Sequence, residues 1–230
     1  MADKRSHLPI RSIDRLMIDR QFRLARIWSN DVLREVGPLM EGEVVNVSAW
    51  MDDDKEGGKY CDYFSNATKY YTTNYGGYRG KGEEQSILLD LEAKLRPELE
   101  SRFDVVFNHT TLEHVFDVFT AVKNLCLMSR DVVIVVVPAV QREHGSEGFA
   151  DYWRFTSEGL TTLFRRNGMK VNLLISTPYK NSAIYHFIFA SKGINDWDSI
   201  LPLFSYGINI GSTLVSDSYF LKIAQKFLRK

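Results

Sequence analysis

The chain has 230 residues, an apolar fraction of 44%, and 29 Lys and Arg balanced by 29 Asp and Glu. That length gives one large domain with a sizeable core, and the zero net charge argues against a general nucleic-acid binder. Two cysteines, Cys61 and Cys126, are too few for a disulfide framework or a cysteine zinc site.

"MADKRSHLPIRS" lacks an apolar signal core, and no run of about 18 apolar residues occurs to span a bilayer. A reducing cytoplasm is the expected setting. Residues 12–36 read as a helix, with Ile13, Leu16, Met17, Leu24, Ile27 and Trp28 at near-helical spacing and Gly37-Pro38 as the stop. The first 26 residues carry seven Lys and Arg against three Asp, a solvated helix face or a surface for an anionic partner.

Residues 44–50 are the first expected strand, and "MDDDKEGGKYCDYFSNA" after it is a loop or at most a short helix. Strands follow at 69–73 and 87–89, separated by the glycine-rich loop "NYGGYRGKGEE". A short helix within 91–100 is limited by Pro97. "FDVVF" (103–107) is a strand. Leu112, Val115, Phe116, Phe119, Val122, Leu125 and Cys126 then predict an amphipathic helix. "VVIVVV" (132–137), six β-branched residues in a row, suits a strand buried on both faces of a parallel sheet, ended by Pro138.

Thr156 is the expected N-cap of a helix carrying Leu160, Leu163 and Phe164, with Gly168 just past its end. Strands at 171–175 and 184–190 are joined by "STPYKNS", too short for a crossover helix, so they pair antiparallel. The C-terminal "SYFLKIAQKFLRK" places Phe220, Ile223, Ala224, Phe227 and Leu228 on one face, with Lys222, Lys226, Arg229 and Lys230 around it. This basic amphipathic helix packs on the domain or meets a protein partner or the inner face of a membrane. The expected organisation is an N-terminal helical extension (1–40), an α/β domain (41–195) and a C-terminal extension (196–230).

Alternating strands and helices with a final antiparallel pair give an open α/β sheet, whose ligands bind beyond the carboxyl ends of the strands. An adenosine-type cofactor needs a close-approach turn after the first strand and polar side chains after the second and third. Asn46 and Ser48, Asn74, and Asp90 stand at those places. Asp90 is a partner for an exocyclic amine or a helix N-cap. "FNHTTLEH" supplies Asn108, His109, Glu113 and His114, with Glu113 in the first turn of its helix. Both histidines have structural roles open to them beside chemistry, and their five-residue spacing straddling a helix start does not suit a metal pair, so no metal is expected. In "PAVQREHGSEGFADYWRFT", His144 is a candidate general base, with His114 as a second catalytic candidate. Arg154, with Tyr152 beside it, is a candidate clamp for a substrate phosphate or carboxylate. Asp151 orients His144 or Arg154, or pairs with Arg154 as a structural bridge.

From Phe103 to Met169 the pattern "FDVVF…LEH…VVIVVVP…H…DYWRFT…NGM" resembles the class I S-adenosylmethionine-dependent methyltransferases, and the likeness extends over residues 44–192. "H…DYWRFT" is similar to a subgroup associated with bacterial sugar and surface-polysaccharide pathways. The resemblance implies a Rossmann-like seven-stranded fold, mostly parallel with an antiparallel last strand, and S-adenosylmethionine as cofactor. By position it implies a first cofactor motif at Asn46, Ser48, Ala49 and Trp50, a ribose site at Asn74, an adenine site at Asp90, and Asn108 and His109 beside the methionine end. The family turn carries glycines where this chain has Ser48 and Trp50. Two functions follow as expectations: O-methylation of a sugar, nucleotide-sugar or glycan, or a cofactor-free scaffold on the same fold.

Overall fold

The computed structural model describes residues 24–76, 86–145, 148–178, 184–202 and 204. Seven strands form one sheet: β1 (Gly42–Val47), β2 (Ala67–Asn74), β3 (Ile87–Leu88), β4 (Phe103–His109), β5 (Ser129–Val140), β6 (Lys170–Ser176) and β7 (Ile184–Ser191). Their order is β3-β2-β1-β4-β5-β7-β6. All neighbours are parallel except β7, which runs antiparallel to both β5 and β6. The expected fold class is thus the observed one.

Period-two alternation divides the core into two layers. Val45, Val106, Val133 and Val135 face α2 (Val118–Met128) and α3 (Ser157–Arg166). Val44, Phe107, Ile134, Phe187 and Phe189 face α1 (Leu24–Val36) and Trp197 of the short α4 (Trp197–Ile200). β5 is buried on both faces, as its β-branched run requires. Trp28 and Leu33 seat α1 directly on the sheet. Between β1 and β2 there is no α-helix, only a 3-10 turn (Tyr60–Tyr63) whose Tyr60 and Tyr63 join the layer under α1.

The structure corrects several local expectations. Pro138 does not end its strand. Pairing with β4 stops at Val136, whereas pairing with β7 continues to Val140. The Pro138 carbonyl accepts from the Phe155 amide at 3.0 Å rather than from β7. N and C=O of a strand residue share a side, so the missing N–H of Pro138 faces away from β7 and costs no ladder bond. The helix expected from Leu112 is a 3-10 turn (Leu112–His114) followed by a break. Asp117 caps the true helix by accepting the Thr120 amide at 3.1 Å. That restart leaves Phe116 and Phe119 outside the core, 66% and 61% exposed. Residues 91–100 hold only a 3-10 turn at Pro97–Leu99. Thr156 does cap α3, accepting from the Gly159 amide, and Gly168 takes φ +75° past its end.

No described helix is long and apolar enough to cross a membrane. The helix expected before Leu24 and the basic amphipathic helix of residues 218–230 lie outside the described residues.

The loop after β1 folds around Asp54. Its carboxylate accepts from the Glu56 and Gly58 amides at 2.7 and 2.9 Å and from the Tyr63 hydroxyl at 2.7 Å. Burial raises its pKa, but the Tyr63 hydroxyl and the two amides outweigh it and hold the carboxyl below its ordinary value. A lowered folded value stabilises above the unfolded pKa of about 3.9, and that contribution disappears as pH falls through the folded value. Asp54→Asn is therefore less stable near neutrality and loses less on acidification below about pH 4. Urea midpoints measured against pH check this: the two curves converge at low pH, and parallel curves would contradict it.

Candidate active site

The strand order reverses between β1 and β4, and a cavity of about 960 Å³ opens there at the carboxyl ends of the strands. Asn46, Ser48, Ala49, Trp50, Asn74, Asp90, His109, His114, His144 and Tyr152 line it. Asn108, Asp151 and Arg154 do not. The wall also includes Arg26, Tyr60, Thr110 and Tyr185, which the sequence reading did not single out, and Glu113, which it placed in a helix.

The turn after β1 keeps a glycine-like path without glycine. Ser48 and Trp50, at the two glycine places, have φ of +59° and +52°. A side chain in that region costs roughly 1–2 kcal/mol, so the surroundings must hold it. The Ser48 amide donates to Thr73 Oγ1 at 3.1 Å and the Ala49 amide to the Thr73 carbonyl at 3.0 Å. The Trp50 amide donates to Asn74 Oδ1 at 2.5 Å. Asn74 Nδ2 donates to Ser86 Oγ at 2.7 Å, so the Asn74 amide acts as a clamp on the turn. Asn46 donates to the buried Asp52 at 2.7 Å and Asp52 accepts the Cys61 amide at 2.9 Å, which pins the turn from below. Trp50 is 43% exposed and its ring lies under the Lys55 ammonium at 5.2 Å, so it walls the cavity rather than filling it. Ser48→Gly is expected to relieve about 1 kcal/mol of strain and Ser48→Val to add strain. Chemical denaturation reads both, and equal stability of the Gly and Val variants would contradict it.

On the floor, the Arg26 guanidinium donates to the Tyr60 hydroxyl at 2.9 Å and to Thr110 Oγ1 at 2.7 Å. It also lies 3.3 Å from His109 Nδ1. An arginine can only donate, so His109 Nδ1 accepts and its proton sits on Nε2, directed to Ser29 Oγ at 2.9 Å. Ser29 passes its own proton to the Arg26 carbonyl at 2.8 Å. Burial and then the Arg26 charge push the His109 pKa well down, so this imidazole stays neutral and positions Arg26. Burial also works against the Arg26 charge, but the Tyr60 and Tyr185 phenols and the Glu113 carboxyl outweigh it. Among the described residues Arg26 has no carboxylate in salt-bridge contact. It is a cation at the bottom of a cavity, held by neutral groups.

Glu113, also on the cavity lining, is fully buried, and neither of its carboxylate oxygens has a hydrogen-bond partner among the described residues. Burial raises its pKa to about 8 against the pull of Arg26 and Arg154. His114 Nε2 lies 3.8 Å from Glu113 Oε1, and its Nδ1 meets the Ala150 carbonyl at 2.6 Å. The His114 and His144 rings meet edge to face at 4.9 Å. His144 Nδ1 lies 3.0 Å from Asp151 Oδ2, which also accepts the His144 amide at 2.8 Å. Asp151 takes a two-pronged grip from Arg154 at 2.6 Å on each oxygen, and this pair, ahead of any other cause, drives its pKa down to about 2. The remaining Arg154 donors go to the Gln141, Arg142 and Trp153 carbonyls. Of the readings open to it, Arg154 is the bridge that pins Asp151 and the loop, behind the wall. Asn108 is equally internal, donating to the Val47 carbonyl at 2.9 Å. Asp90 sits exposed at the rim and caps no helix; its Oδ1 accepts the Glu92 amide at 2.9 Å.

No family model matches the chain, and no curated protein matches it. Solved structures do. One is the 1,6-didemethyltoxoflavin-N1-methyltransferase of Burkholderia thailandensis with bound 1,6-didemethyltoxoflavin and S-adenosylhomocysteine, 15% identical with a TM-score of 0.50 over 78% of this chain and 86% of that one. Another is the magnesium protoporphyrin IX methyltransferase of Synechocystis PCC 6803 with bound S-adenosylhomocysteine, 11% identical with a TM-score of 0.52 over 79% and 94%. The cyclase SpnF is 10% identical with a TM-score of 0.52 over 74% and 81%. The shared architecture is the class I methyltransferase fold, and the cyclase among these neighbours is a reminder that fold alone does not fix the reaction.

Proposed function

We propose that the chain is an S-adenosylmethionine-dependent methyltransferase acting on a hydroxyl of a sugar, nucleotide-sugar or glycan of surface-polysaccharide biosynthesis. The observation that carries the reading is one continuous cavity at the strand-order reversal, with a buried cation on its floor and an imidazole pair on its wall. An adenosyl cofactor fits the residues present. Asp90 at the rim offers an acceptor for the adenine amine. The Ser48, Ala49 and Trp50 amides are spent on β2, so they cannot receive the methionine carboxylate. Arg26 supplies that missing positive group. Beside the glycine-free turn, a second departure from the family pattern is Asn74, whose amide clamps Trp50 and adds no charge for the ribose.

S-adenosylmethionine, when bound, supplies an electrophilic methyl group. The chain's own residues then position the acceptor and remove its proton. Asp151 holds His144 Nδ1, which orients the ring and leaves Nε2 as the base. Trp50, Tyr75 and Tyr152 are partly exposed aromatic side chains on the cavity lining, of the kind suited to packing on a polyhydroxylated ring. The test is transfer of a labelled methyl group from S-adenosylmethionine to a panel of nucleotide-sugars and glycans. Label in an acid-stable, base-stable ether is the expected product. Cofactor binding without transfer to any hydroxyl acceptor would reject the acceptor class.

A further inference from the structure

We propose that Glu113, His114 and His144 form a site for a divalent transition-metal ion on the cavity wall. One ligand atom from each of the three lies within 4.8 Å of the others. Ligands around a tetrahedral ion with bonds of about 2.0–2.1 Å stand roughly 3.3 Å apart. The Glu113 to His114 Nε2 distance of 3.8 Å exceeds that spacing by about 0.5 Å, and the cluster limit of 4.8 Å exceeds it by about 1.5 Å, so binding draws the three side chains together.

Two further observations point to a ligand. The fully buried Glu113 carboxyl lines the cavity with neither oxygen satisfied among the described residues, although such a group costs free energy unless something pairs with it. Both imidazoles are also oriented as metal-bound imidazoles are. His114 Nδ1 is occupied by the Ala150 carbonyl and His144 Nδ1 by Asp151, and each leaves Nε2 as the available lone pair. Arg154 locks Asp151 behind that pair.

Two imidazoles and one carboxylate suit zinc, cobalt, iron or manganese rather than magnesium or calcium. Three protein ligands leave coordination positions open toward the cavity, where a substrate oxygen can bind. The site does not depend on the methyl-transfer reading. If both hold, His144 Nε2 cannot be ligand and base together, and the ion takes over activation of the acceptor hydroxyl.

The full chain, stripped with a chelator, is titrated with Zn²⁺ by calorimetry and with Co²⁺ by visible absorption and paramagnetic proton NMR. One ion per chain is expected, with shifted signals from two imidazole N–H groups. His114→Ala and His144→Ala each weaken binding about tenfold or more. Asp151→Asn, which keeps all three ligands, weakens it about 10- to 100-fold. Cys61→Ser leaves it unchanged. The absence of stoichiometric binding, or of the two imidazole signals in the unmodified chain, overturns the proposal even if a variant fails to fold. So does Zn²⁺ affinity undiminished in the histidine variants.

Discussion

Arg26→Met is expected to weaken S-adenosylhomocysteine binding by about 10- to 100-fold while leaving the folded chain about as stable as before. A hydrogen bond to a charged group contributes about 1.5–3 kcal/mol, and each tenfold in affinity is about 1.4 kcal/mol. The direction on stability follows from the partners. Tyr60, Thr110 and His109 are neutral, so removing the guanidinium strands no opposite charge in direct contact. Methionine keeps the apolar stem on the α1 side of the sheet. Some polar satisfaction is lost at Tyr60 and His109, and the desolvation cost of the cation is recovered. Calorimetry and thermal melting read the two halves separately. Unchanged cofactor affinity would show that the carboxylate is held elsewhere, and a large drop in melting temperature would show that Arg26 belongs to the framework.

His144→Ala is expected to lower turnover by about 10²- to 10⁴-fold and to leave S-adenosylhomocysteine affinity unchanged. The imidazole lines the same cavity as Arg26 and Asp90 and makes no contact with either. Asp151→Asn should reproduce part of the loss, because it removes the carboxylate that fixes the tautomer and orientation of the His144 ring. Unaltered turnover in His144→Ala would remove the base assignment. A parallel loss of cofactor affinity would place His144 in the cofactor's own pocket.

These assignments rest unequally on sequence. The sheet was legible because β5 carries its own signal: a β-branched run of that length is stable only between two packed faces. The antiparallel end was legible from the short link before β7, and α3 from Thr156 and Gly168. The break before α2 was not, since Leu112, Val115, Phe116 and Phe119 keep helical spacing through it. The helix restarts at Asp117, a local cap on the Thr120 amide that the helical spacing masks, and both phenylalanines are left exposed. The cavity floor was hidden for a different reason. Arg26 lies in a helix whose basic residues look alike in sequence, and only its docking on the sheet brings the guanidinium to His109 and Tyr60. His114 and His144 are thirty residues apart, on either side of α2 and β5, so periodicity could not pair them. The turn was placed by resemblance at Asn46 to Trp50, but the expected strand 44–50 overran it: β1 ends at Val47, because Ser48 and Trp50 leave the extended region under the grip of Thr73 and Asn74.

The most direct measurement is calorimetric titration of the full chain with S-adenosylhomocysteine, with Asp90→Ala alongside. One site of micromolar affinity, weakened by loss of the rim carboxylate, is the predicted result. No binding up to millimolar ligand would contradict the cofactor reading and leave a methyltransferase fold whose glycine-free turn serves a binding or scaffolding role.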